Sequence, residues 1–62
     1  MTTADVLQRL TETGPQTVTE LTRHFGYQNT APVYDRLRTL DARGVVVRTP
    51  GKRGRRLWDV RR

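Results

Sequence analysis

Val45-Val46-Val47, followed by Pro50-Gly51-Lys52-Arg53-Gly54-Arg55-Arg56 and then by Leu57-Trp58-Asp59-Val60, is the stretch that decides the fold. Two apolar runs flank a turn rich in glycine and arginine, which is the pattern of a β-hairpin. Strands are expected at about 45–49 and 56–60, with Gly51 and Gly54 permitting the turn. Gly44 stands immediately before the first strand, where a helix is expected to stop. A cationic ribbon on the end of a helical unit is suited to reaching along or into a groove of a polyanion.

Working back toward the N-terminus, the residues before Gly44 read as three helices. The third spans about 31–43. Pro32 is tolerated because it falls in the first turn, where its missing N–H has no intrahelical partner. Val33, Leu37 and Leu40 make the inward stripe. The second helix spans about 18–25, with Thr17 and Glu20 in capping-box spacing and Val18, Leu21 and Phe25 on one face. Gly26 occupies the position of a left-handed helix stop. Tyr27-Gln28-Asn29 is a tight polar turn in which Tyr27 is expected to pack, and Asn29 or Thr30 caps the third helix. The first helix spans about 3–12, with Thr2 and Asp5 as its capping box, Val6, Leu7 and Leu10 as its apolar face, and Gly14-Pro15 as its end. Gln16 and Thr17 are either a very short strand or a plain connection. Arg61 and Arg62 are expected to fray.

Composition narrows the function. The 62 residues make one small domain, 1–62. There is no cysteine, so disulfides and cysteine-ligated metal sites are excluded, and His24 cannot bind a metal alone. There is no serine, no cluster of acids and no glycine-rich phosphate loop leading into a helix, so an enzyme is not expected, nor is a cofactor. No stretch has the roughly 18 apolar residues of a membrane span, and a soluble, cytoplasmic chain is expected. The net charge is +6 and the pI near 11.4. Eight basic residues and one acid, Asp59, fall between Arg43 and Arg62, whereas the preceding residues are nearly balanced. Such an asymmetry marks a face for nucleic acid.

The order helix, helix, turn, helix, hairpin resembles the winged helix-turn-helix family of DNA-binding domains, as in MarR-type and ArsR-type bacterial regulators. The likeness runs from Thr17 through Gly26, then from Asn29 through Gly44, then over Val45-Val46-Val47-Arg48, about the last three quarters of the chain. It implies an α+β, mainly α fold with three helices and a C-terminal hairpin wing. It also implies double-stranded DNA as partner and a role in transcription regulation, with the third helix in the major groove and the wing on the minor groove or phosphates. A narrower likeness, to the Z-DNA-binding winged helices, rests on Tyr34 and Trp58. It fails at Thr30, where that group has Asn, and at Arg55-Arg56-Leu57, where it has a proline pair.

Residue by residue, helical periodicity turns Ala31, Asp35, Arg38 and Ala42 outward, with Tyr34 on one flank and Pro32, Arg36 and Thr39 on the other. Small Ala31 lets the helix enter a groove deeply, and Arg38 can donate to guanine or phosphate. Asp35 either accepts from a cytosine amino group or holds Arg38 at i,i+3 spacing. The second reading is preferred, since an intrahelical pair needs no external partner. Gln28, Asn29 and Thr30 stand at the positive end of the third helix, as caps, as phosphate or base contacts, or as both. Tyr34 either covers the edge of the core or touches the sugar-phosphate backbone. Lys52, Arg53, Arg55 and Arg56 form the cationic wing. Arginine suits narrow minor grooves, and some of the four should only line phosphates. Trp58 is expected to anchor the hairpin on the helices, Asp59 is placed to clamp an arginine, and Arg23 and His24 are candidates for phosphate contacts.

Three functions remain open: an operator-binding regulator, a phage or mobile-element architectural or recombination-directionality factor that bends DNA, and a winged-helix protein–protein adaptor. The adaptor reading predicts an exposed apolar patch on the third helix. Leu7, Gln8 and Thr11 offer at most a small dimer surface, so a monomer or weak dimer that assembles on DNA is expected.

Overall fold

Each helix begins at the residue its capping chemistry selects. The computed structural model describes residues 1–61, the side chain of Lys52 excepted; Arg62 and the Lys52 side chain therefore lie outside the described residues. Helix α1 spans Thr3–Thr13, α2 Val18–Phe25 and α3 Ala31–Ala42. Strand β1 spans Val46–Pro50 and β2 Arg56–Val60, joined by a single 3-10 turn over Lys52–Gly54. The architecture is α+β, mainly α, and its three helices with an antiparallel hairpin are compatible with a winged-helix fold.

Both expected capping boxes form. The Asp5 N–H donates to Thr2 Oγ1 at 3.2 Å while the Thr2 N–H donates to Asp5 Oδ2 at 2.8 Å. Thr17 and Glu20 make the same reciprocal pair at 3.1 and 3.0 Å. At α3 it is Asn29, not Thr30, that caps: Asn29 Oδ1 accepts from the Ala31 N–H at 3.1 Å, and the Thr30 side chain makes no cap bond. Helix α2 stops at Gly26, which is left-handed at φ 77°, and the Tyr27 N–H bonds back to the Thr22 carbonyl. A Cβ there would cost about 1 kcal/mol or more. Helix α3 ends one residue short of the expected boundary because the Val45 N–H reaches the Leu40 carbonyl and the Gly44 N–H reaches that of Asp41, the paired bonds of a Schellman stop.

The Thr2 N–H, and then the Thr2 hydroxyl, hold the Asp5 carboxyl below the usual aspartate range. A depressed folded pKa stabilises the fold above the unfolded value, about 3.9, and that contribution disappears as pH falls through the lowered folded value. Asp5→Ala should therefore melt earlier than the parent chain at neutral pH, and the two melting curves should converge in strong acid. Curves that stay apart at pH 2 would assign the effect to something other than ionised Asp5.

The core is one cluster. Val6 and Leu10 from α1, Leu21 from α2, Val33, Leu37 and Leu40 from α3, Val46 from β1 and Trp58 from β2 are buried together. Leu7, Val18 and Phe25, expected inside, are half-buried at its margin. Helix α1 packs on both α3 and β2, α2 rests on α3, and β1 runs beside α3.

The register of the hairpin places Val46 opposite Val60, Arg48 opposite Trp58 and Pro50 opposite Arg56. The Trp58 N–H and C=O do not face β1. They pair with Gln16, at 2.8 and 2.9 Å, so Gln16 is a one-residue strand on the outer edge of β2. It follows that Arg48 and Trp58 form a non-hydrogen-bonded pair, the class in which facing side chains lie closest. The same parity explains why β1 runs through Pro50 rather than stopping at Thr49. A proline opposite Arg56 occupies a position where no N–H is asked for. Arg61, expected to fray, is tied down: its N–H donates to the Val45 carbonyl at 3.0 Å.

Gly51 is the tight point of the loop. Its N–H donates to the Arg55 carbonyl at 2.6 Å, and a Cβ on it would meet that oxygen at 2.5 Å and Leu57 Cγ at 3.0 Å. Arg53 at the tip is left-handed, with φ 60° and ψ 33°.

Candidate nucleic-acid interface

The burial of α3 settles which of its residues can meet a ligand. Val33, Leu37 and Leu40 are buried, and Ala31, Tyr34, Asp35, Arg36, Arg38, Thr39 and Ala42 are exposed. Pro32, placed on an outward flank by periodicity, is half-buried instead. Gln28, Asn29 and Thr30 are exposed in the turn before α3. On the hairpin Arg53, Arg55 and Arg56 are exposed, and on α2 so are Arg23 and His24.

These residues do not all lie together. A concavity of about 450 Å³ is bordered by Thr17, Thr19, Glu20 and Arg23 of the α2 end, by Tyr34 of α3, and by Arg48, Arg55 and Arg56 of the hairpin, with Trp58 beneath. A second depression adjoins it, lined by Tyr34, Arg38, Asp41, Ala42, Arg48 and Trp58. The two adjoin at Tyr34, Arg48 and Trp58 and together make up a two-part basin between α3 and the hairpin. Five arginines and two carboxylates surround it. One of those carboxylates, on Glu20, is engaged by the Thr17 N–H. The basin is therefore strongly electropositive.

His24 does not join this basin. It lines a separate depression with Asp5, Gln8, Arg9, Glu12 and Phe25, its ring edge-on to Phe25 at 4.9 Å. Gln28, Asn29, Thr30, Ala31, Asp35 and Arg36 are exposed but outside the lining of the basin, and Arg53 stands at the hairpin tip. The expected Asp35–Arg38 pair is not formed among the described residues. Both side chains are exposed, and an exposed pair gains too little to overcome the entropy of fixing two side chains. The Asp59 carboxylate accepts from the Val60 N–H at 2.8 Å.

Tyr34 covers the edge of the core while staying partly open. Its ring meets Trp58 edge-on, with centroids 6.2 Å apart and planes at 85°, yet 41% of the residue remains exposed to the basin. Trp58 is 3% exposed and serves the core, as expected of a hairpin anchor. Tyr27, expected to pack its turn, is instead 37% exposed.

Composition alone assigns no role to Arg48, the residue at the centre of the site. Its guanidinium lies over the Trp58 ring, 5.5 Å from the centroid, and Nη2 is 4.0 Å from Asp41 Oδ2 on α3. The signal that would have found it is strand register. Counting back from Val60 against Val46 puts an arginine directly across from the one tryptophan.

Among the described residues, no group of three or more His, Cys, Asp or Glu side chains could hold a metal ion, and no helix is long and apolar enough to cross a membrane. Comparison with protein-family models, with curated proteins and with solved structures gives no match to this chain.

Proposed function

We propose that this chain is a winged helix-turn-helix domain, similar to MarR-type and ArsR-type regulators, that binds double-stranded DNA with a preference for sequence. Helix α3 enters the major groove, with Ala31, Asp35 and Arg38 toward base edges, and the arginines of the hairpin lie on phosphates or in the adjoining minor groove. One observation carries the reading: Tyr34 and Arg38 of α3 line the same basin as Arg48, Arg55 and Arg56 of the hairpin, so a single duplex can meet both elements. The adaptor reading requires an apolar patch on α3, and the exposed positions there, Tyr34 apart, are small, polar or charged. Regulation then follows from occupancy of the DNA. One module of this size offers on the order of 600–1,000 Å² of contact, so selectivity is built by neighbouring copies on repeated sites.

Titration of a fluorescent duplex at 50 and 200 mM salt tests this. About five phosphate contacts predict a loss of two to three orders of magnitude in affinity across that range. Binding that ignores salt, or a duplex that shifts no amide resonance of α3 or the hairpin, would remove the proposal.

A further inference from the structure

Arg48 has a neighbour on each of two sides. The cross-strand register sets it over Trp58, with the guanidinium carbon 5.5 Å from the ring centroid, a cation–π contact that favours this position of the charge. Asp41, near the end of α3, takes one corner at 4.0 Å. Among the described residues no hydrogen bond occupies its N–H donors, and 44% of the side chain is exposed. It borders the depression on the α3 side with Arg38, the one toward α2 with Arg23, and a third along the hairpin with Arg55 and Arg56. Among the described cations, it alone lines all three.

We infer that Arg48 is a preset phosphate clamp at the junction of α3 and the hairpin, and that Asp41 is the internal anion a DNA phosphodiester displaces. This rests on the DNA-binding reading above. A phosphate in the basin meets a guanidinium already held beside Trp58 and Asp41, so less side-chain freedom is lost on contact than for an arginine free in solvent. Asp41 contributes in the opposite sense. Its carboxylate lies 4.0 Å from Arg48 in the free protein, a weak exposed pair that an arriving phosphate replaces. The contact touches no base, so it acts equally on all duplexes and supplies register of the protein along the backbone rather than sequence choice.

The test is a double-mutant cycle read by duplex anisotropy over a salt series, with circular dichroism to verify folding. Arg48→Ala should weaken binding about tenfold and reduce the salt slope by about one. Arg48→Lys should keep the slope but bind more weakly than the parent, because lysine keeps the charge and loses the planar fork. Asp41→Asn should tighten binding on the order of two- to fivefold, and that gain should vanish in the Asp41→Asn/Arg48→Ala double variant. The clamp is overturned if Arg48→Ala leaves the slope unchanged, if Arg48→Lys equals the parent, or if the Asp41→Asn gain survives without Arg48, since Asp41 would then act by general repulsion. These failures are distinct from failure of the DNA-binding reading, in which the parent chain itself binds no duplex in a salt-dependent way.

Discussion

Replacing Arg55 and Arg56 together by alanine is expected to lower affinity for every duplex by roughly one to two orders of magnitude while leaving thermal stability unchanged. Both side chains are exposed and border the basin beside Tyr34 and Arg48. Surface substitutions away from caps and core shift stability by only about 0.5 kcal/mol, so a loss of binding in this variant is not a loss of fold. If each arginine neutralises one phosphate, the slope of log affinity against log salt falls by about two. The loss should be as large on random sequence as on a preferred site, because phosphate contacts carry no sequence information. Arg38→Ala provides the contrast. It projects from α3 toward the same basin, and its removal should narrow the difference between preferred and random duplexes. Loss confined to one sequence in the Arg55/Arg56 variant would move those residues from the backbone to base edges.

Leu37→Ala is expected to abolish cooperative folding near room temperature or to lower the melting point by more than about 10 °C. Leu37 is fully buried in the middle of α3, among core residues drawn from all three helices and both strands. Truncating such a leucine costs about 2–5 kcal/mol through lost transfer energy and the cavity left behind. A domain of 62 residues has a total stability of only about 3–9 kcal/mol, so the loss is a large share of the whole. Thermal melts followed by circular dichroism at 222 nm check this. A shift of only a few degrees would mean that the core closes over the gap, and that α3 is held mainly by its ends.

The two substitutions separate what α3 does for the fold from what its neighbours do for binding. That separation exists because the core stripe of α3 uses positions 33, 37 and 40, leaving the opposite flank free of structural duty. The same economy appears at Trp58. One ring anchors the hairpin in the core, makes a T-shaped contact with Tyr34 and lies under Arg48.

Local chemistry was legible in the chain. Thr2 with Asp5 and Thr17 with Glu20 announce helix starts because a hydroxyl and a carboxylate three residues apart can satisfy two orphan N–H groups within one turn. Gly26 and Gly44 announce stops because they permit the left-handed backbone a helix end needs. Val33, Leu37 and Leu40 announce an inward face because the helical period is fixed by covalent geometry. The arginines of the loop announce their exposure, since so many unpaired charges cannot be buried.

What depends on elements distant in sequence was not legible. Whether Gln16 pairs with β2 and whether Arg61 is tied down depend on partners set by packing. His24 and Arg23 are adjacent in the chain but belong to different depressions, because one faces α1 and the other the hairpin. Arg48 is the clearest case: its neighbours are Trp58, ten positions on, and Asp41, in another element. By itself the sequence determined the elements, their ends to within a residue and the sign of the charge, since those follow from interactions within a few residues. Tertiary structure alone decided which cations share one basin, because that requires the hairpin to fold back on α3 through contacts no local pattern encodes.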